Sequence, residues 1–198
     1  MNLRFIGDAL DHWKGSVFEG LRQSNLLRDF RVDAMASDGE AWQQHDYVLF
    51  AKLLRIHEEQ IVSHKQTLDN NREGYFDEIP ADGDLFLDPD TGFQTGHVKN
   101  IRQYVKPEEF FSLLSRNNGR VIAVYQHASR KGIRVRAGEV LQELYNKKSK
   151  FFCTSYESPT VALLFFSLDL GRIEAIREHF HDLLGAHANK RIGQWYKY

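Results

Sequence analysis

The sequence predicts an α/β fold whose sheet is mainly parallel and ends in an antiparallel pair. Three observations carry that expectation. Apolar strand-like runs alternate with helical patterns through the middle of the chain, the order that builds parallel sheets. The run "RVIAVYQH" (120–127) is too continuously apolar for a one-sided sheet and predicts a strand covered on both faces. The runs "KFFCTSYE" and "TVALLFFSLD" are separated only by "SP", close enough to pair as a hairpin.

Each element has its own signal. Leu10, Trp13, Val17, Leu21 and Asn25 recur at helical spacing and place a first helix over 8–27. "FRVDAMA" (30–36) reads as a short strand closed by the polar turn "SDGE". Val48, Leu49, Ala51, Lys52, Leu53 and Ile56 give a stripe to one long helix over 42–68, ended by "DNNREG". "DLFLD" (84–88) is the next strand, followed by the glycine-containing loop "TGFQTGHVKN". "KPEEFFSLLSRNNG" carries Pro107 at its first turn, Glu108 and Glu109 at the positive end of the dipole and Gly119 at its stop, so it predicts a helix. "GEVLQELYNKK" is a further helix, and the last runs over 171–184 before the basic-aromatic tail "NKRIGQWYKY".

The bulk properties narrow the class. A length of 198 residues predicts one domain over 1–198, with 42% hydrophobic and 27% charged residues able to build a real core. The formal net charge of −1 supplies no global field for nucleic acid or membrane, so either partner would need a local patch. A single cysteine, Cys153, excludes an internal disulfide framework, and its apolar neighbours make it a buried strand residue. The opening "MNLRFIGDALDHWKG" brings in Asp8 and Asp11 early and does not read as a signal peptide. No run approaches the length of a membrane span, and the expected location is cytoplasmic with no membrane partner.

The stretch "GDLFLDPDTGF" (83–93) is the leading candidate for chemistry, because sites in α/β sheets lie at the carboxyl ends of strands. Asp88 and Asp90, either side of Pro89, have the oxygen ligands that a hard cation such as Mg²⁺ prefers, which is the pattern of a metal-dependent nuclease or phosphohydrolase. The alternative is a plain turn in which Asp90 or Thr91 caps and Gly92 takes a positive φ. The order Asp-Thr-Gly after the strand does not match a haloacid-dehalogenase phosphatase. Asp8, Asp11 and Lys14 recur every three residues on one helical face, which makes Lys14 a cation for a carboxylate or phosphate, positioned by Asp11. His127 ends the strand "VIAVYQH" at the same sheet edge and is a third catalytic candidate. His57, His64, His179 and His181 read as helix-surface residues.

Basic residues gather after His127: Arg130, Lys131, Arg134 and Arg136, then Lys147, Lys148 and Lys150. The tail adds Lys190, Arg191 and Lys197 beside Trp195, Tyr196 and Tyr198. Cations interleaved with aromatics can hold phosphates and stack on bases, which makes nucleic acid a candidate partner. There is no glycine-lysine phosphate loop and no G-x-S-x-G elbow.

In their order, "GDALDHWKG", "LFLDPDTG", "VIAVYQHASR" and "FFCTSYESPTVALLFF" resemble a group of uncharacterised bacterial proteins. That group is distantly similar to S-adenosylmethionine-dependent methyltransferases of the ribosomal-RNA adenine-N6 type, whose first helix carries Asp-x-x-Lys. The resemblance implies a Rossmann-like, methyltransferase-type three-layer sandwich. It implies that Lys14, with Asp11, helps hold S-adenosylmethionine, and that Asp88 and Pro89 match the start of an Asp-Pro-Pro-Tyr motif that accepts the hydrogens of an acceptor amine. Phe93 would supply the stacking face, Asp33 or Asp38 would meet the cofactor ribose, and Arg130 and Lys131 would hold the substrate. Asp90 and Thr91 replace the second proline and the aromatic residue, and the glycine-rich cofactor loop is absent, which also fits a binding module that has lost the cofactor.

Overall fold

Alternating strands and helices assemble into three layers around one sheet. The computed structural model describes residues 1–37, 42–62, 68, 71–147 and 150–195. Helix α1 (Ala9–Gln23) opens on Asp8, whose carboxylate accepts from the amides of Leu10 and Asp11. It stops short of the expected end because Asn25 takes a left-handed φ of 55°. Strand β1 (Arg31–Asp33) leads to α2 (Gln44–Leu54), then α3 (Arg72–Asp77) and β2 (Leu85–Leu87). Two short strands, β3 (Gly92–Phe93) and β4 (Tyr104–Val105), pair with each other beyond β2. There follow α4 (Pro107–Ser115), β5 (Ile122–His127), α5 (Ile133–Lys147), β6 (Phe152–Glu157), β7 (Val161–Ser167), α6 (Leu170–Leu184) and β8 (Ile192–Trp195).

Among the described residues the main sheet has the order β1-β2-β5-β7-β6-β8. The first three strands are mutually parallel, β7 runs antiparallel between β5 and β6, and β8 closes the far edge antiparallel to β6. Four of the six strands therefore point the same way, and the predicted hairpin is β6-β7.

Register sorts the side chains into two cores, because alternate residues of a strand face opposite sides. Val32, Phe86, Ala123 and Phe165 stand in line across the sheet and pack under α1, α2 and α6. Leu87, Val124 and Leu164 form the matching row on the other face, under α3, α4 and α5. Strand β5 is buried on both faces, as its continuous apolar pattern predicts. Cys153 is fully buried in β6, and burial pushes its thiol pKa up. Among the described residues no helix is long and apolar enough to cross a membrane.

Two predicted elements are corrected. The helix expected over 42–68 ends at Leu54, where Arg55 turns left-handed (φ 57°) and Ile56 N–H closes on the Ala51 carbonyl at 3.0 Å. The apolar residues beyond it serve the sheet: Ile61 bridges to Val32 in parallel, and Gln60 Nε2 donates to the Phe30 carbonyl at 2.6 Å. No glycine or proline marks that stop, so the continuing apolar stripe disguises it. The described part of the basic-aromatic tail contains the edge strand β8, with Trp195 Nε1 donating to Ser155 Oγ at 3.2 Å. The turn at 38–40 with Asp38, His64, Lys148 and the end of the tail, 196–198, lie outside the described residues.

Gly15 lets α1 lie directly against α2. A Cβ there would stand 2.1 Å from the Leu53 carbonyl oxygen, a backbone atom that cannot swing aside. Gly15→Ala is expected to destabilise the protein by about 1–3 kcal/mol, as overpacking does. Urea denaturation checks it, and an unchanged midpoint would show that the two helices part without cost.

Candidate functional site

The first turns of α1 and the carboxyl ends of β2 and β5 meet at one end of the sheet. Lys14 Nζ lies 3.0 and 2.8 Å from the two oxygens of Asp88, and 2.8 Å from Asp11 Oδ1. The Gly7 amide holds the other Asp11 oxygen at 2.9 Å. All three side chains are at least 95% removed from solvent. Lys14 also stands 4.5 Å from the centre of the Tyr125 ring, a cation–π contact in a desolvated place. Asp11 and Lys14 do meet on one face of α1, and the carboxylate that Lys14 reaches within the chain is that of Asp88.

Electrostatics follow from the count of charges. Two carboxylates face one ammonium, a formal charge of −1 taken out of water. Burial pulls the Lys14 pKa down, but attraction to Asp88 and Asp11 outweighs it and leaves it above the ordinary lysine value. Burial raises the Asp88 carboxyl, with Asp11 adding to the rise and Lys14 opposing it. The cluster as a whole favours one more positive charge.

The loop after Asp88 is held from β5. Gln126 is fully buried, accepts from the Phe93 amide at 2.9 Å and donates to the carbonyls of Thr91 and His127 at 3.0 and 2.9 Å. Gly92, at φ 123°, is required where it stands, since a Cβ would meet Gln126 Oε1 at 2.3 Å. The Asp90 carboxylate accepts from Ser37 Oγ and lies 3.5 Å from the Met1 amino group.

A cavity of about 210 Å³ opens beside this cluster. Its polar lining is Asn2, Asp8, Asp11, Lys14, Asp88, Asp90 and His127, with Met1 beside Asp90, and its apolar lining includes Phe5, Leu10, Pro89 and Tyr125. His127 has its pKa lowered, first by burial and then by the Lys14 charge, so its imidazole is neutral at pH 7. Lys14, Asp11, Asp88, Pro89, Asp90 and His127, distant in sequence, are thus gathered around one cavity.

Other candidates are placed elsewhere. Phe93 is fully buried with its ring edge-on to Phe110 and Phe166, so it offers no face to a base. Asp33 Oδ1 accepts from the Tyr75 hydroxyl at 2.6 Å and the Met35 amide at 2.8 Å, on the α3 side of the sheet and away from the cavity lining. Of the basic run, Arg134 is spent on Glu157 at 3.0 Å and Arg136 on the Phe93 carbonyl at 2.7 Å. Arg130 and Lys131 are exposed in the turn beyond His127, with Lys131 Nζ 3.3 Å from Glu139 Oε1. The Asp88 and Asp90 carboxylates turn to different partners, and among the described residues no three His, Cys, Asp or Glu gather as a metal would need.

The sequence reading missed Tyr125. Residues i and i+2 of a strand share a face, so a site at His127 at the end of β5 pointed to Tyr125, whose ring meets the imidazole edge-on at 4.9 Å. No protein-family model matches the chain, and no curated protein matches it.

Lys14→Met strips both buried carboxylates of their partner and is expected to cost about 3–5 kcal/mol by urea denaturation; a loss below about 1 kcal/mol would mean that the carboxylates are not held ionised by Lys14. The raised Lys14 pKa gives the native state a proton advantage that is complete below the ordinary lysine value near 10.4 and is lost as pH rises through the folded value. Wild-type stability should therefore fall more steeply above about pH 10.4 than that of Lys14→Met; parallel curves would contradict the assignment.

Proposed function

We propose that the chain is a methyltransferase-type domain that moves the methyl group of S-adenosylmethionine to an amino group of a nucleic acid. One observation carries the reading. The Lys14–Asp88 contact joins, across 74 positions, the Asp-x-x-Lys and Asp-Pro elements on which the family resemblance rests. The sheet is compatible with it: parallel strands, the candidate loop at the carboxyl end of β2, and the antiparallel hairpin β6-β7 after them in the chain.

The residues fit the reacting end of such a cofactor. A cavity with excess carboxylate charge attracts a cation; a sulfonium is one, and the acceptor nitrogen gains positive charge as the N–C bond forms and the S–C bond breaks. At about 210 Å³ it is below the range of about 300–1,000 Å³ that buries a whole ligand, so it is assigned to the reacting sulfur and the acceptor nitrogen. The bound cofactor supplies an electrophilic methyl group. Asp88, held ionised by Lys14, keeps lone pairs for an amine N–H, and the Pro89 carbonyl can accept another. His127, neutral in the cavity, takes the proton that the amine gives up. Alignment of these acceptors is catalysis by positioning. Arg130 and Lys131, exposed three and four residues beyond His127, supply contacts to substrate phosphates.

Asp88→Asn keeps the shape and leaves Lys14 paired with Asp11. It is expected to lower methyl transfer to adenine-containing RNA or DNA by at least about 100-fold while a thermal shift with S-adenosylhomocysteine persists. An unchanged rate would sink the role of Asp88, and the absence of any shift with either sulfur compound would move the protein to the class of binding modules. Replacing Arg130 and Lys131 together with alanine should lower the salt slope of nucleic-acid binding by about 1.5 to 2; an identical slope would place the phosphate contacts elsewhere.

A further inference from the structure

The opposite end of the strands holds a second charged cluster, built from residues that lead into β2 and β5. Asp84 immediately precedes β2, and Arg120 lies two residues before β5. The Asp84 carboxylate is fully engaged. Its Oδ2 accepts from the Arg28 amide at 2.6 Å and from Arg172 Nη2 at 2.5 Å, and its Oδ1 accepts from the Val121 amide at 2.7 Å. Arg172, on α6, is neutralised by that pairing and donates also to the Leu26 carbonyl at 3.0 Å.

Arg120 is not matched in this way. It is only 1% exposed, yet its Nε and Nη1 have no hydrogen-bond partner among the described residues. Its Nη2 reaches the Asp82 carbonyl only at 3.5 Å. Burial, opposed by Asp84 and reinforced by Arg116, lowers its pKa to about 10, so it is still charged at neutral pH. A buried guanidinium with unmet donors is costly unless acceptor oxygens reach it. Arg120 lines a cavity of about 180 Å³ together with Arg28, Asp29, Gly83, Asp84 and Arg172. The Asp84 oxygens are already engaged by the Arg28 and Val121 amides and by Arg172, and Asp84 and Asp82 are the carboxylates that act on Arg120 through space.

We propose that this cavity binds a phosphate-type oxyanion through the guanidinium groups of Arg120 and Arg28. A phosphate offers several acceptor oxygens to two planar donor forks, which one carboxylate cannot do as well. The site is independent of the methyl-transfer reading. It lies at the amino ends of the strands, and Asp84 is four residues, about 13 Å of extended strand, from Asp88. The same chemistry has two sources, free phosphate and the phosphodiester of a nucleic acid.

The full chain is titrated with sodium phosphate against sodium chloride at matched ionic strength, and then with a short single-stranded oligonucleotide. Phosphate is expected to raise Tm saturably, by about 5–11 °C at 100 times its Kd. Arg28→Ala keeps the backbone amide that Asp84 uses and should weaken phosphate about tenfold, and Arg120→Met should weaken it at least as much. If Arg120→Met does not fold, Arg28→Ala carries the test. Displacement of phosphate by the oligonucleotide would identify the backbone of a nucleic acid as the source, and phosphate binding without competition would identify the free ion. No saturable response to either probe, or an undiminished response in Arg28→Ala, overturns the proposal.

Discussion

The buried contact of Lys14 with Asp11 and Asp88 is the constraint on which this end of the molecule depends. It ties the first helix to the end of β2, 74 positions later, and none of the three charges has bulk water to fall back on. Removing one member of such a cluster costs more than the pair contributes, because the remaining charge is left in low dielectric. The geometry of α1 is subordinate to it. Asp8 starts the helix where Asp11 can reach back to Gly7, and Gly15 lets the next turn sit against α2, so that Lys14 is delivered to the sheet edge at the right depth.

The loop after β2 is shaped by a second, uncharged device. Gln126 spends its amide on three backbone groups of the neighbouring segments, and Gly92 leaves room for it. This clamp fixes where Pro89 and Asp90 stand relative to Asp88. Together the ion cluster and the clamp place a carboxylate, a neutral imidazole and an aromatic ring around one small volume, without any of them belonging to a flexible surface. That is the arrangement that preorganised chemistry requires. The other end of the strands is built on the same economy: Asp84 gathers three elements, and Arg120 is left with donors to offer.

Local pattern carried far in this chain. Period and burial named β2, β5, the β6-β7 pair and α4, and the i,i+3 spacing of Asp11 and Lys14 named an ion pair that the structure contains. The failures have one cause. Where a segment's apolar residues serve a distant partner, the local period misleads: Ile56 and Ile61 continue a helical stripe but pack beyond the helix, and Phe93 follows a polar motif but sinks between Phe110 and Phe166. Arg134 and Arg136 likewise look like a surface patch until Glu157 and the Phe93 carbonyl are brought to them.

Taken alone, the sequence determined the α/β class, the succession of β2, α4, β5, α5, β6, β7 and α6, and the two motifs that bear charge, because these depend on neighbours within one or two turns of helix or a few residues of strand. Only the tertiary structure decided that Lys14 meets Asp88, that Tyr125 lies beneath that ammonium, and that Asp33 turns to the other face. Such pairings rest on the register of the sheet and on which helix covers which face. A one-residue change of register would send every side chain of a strand to the opposite core.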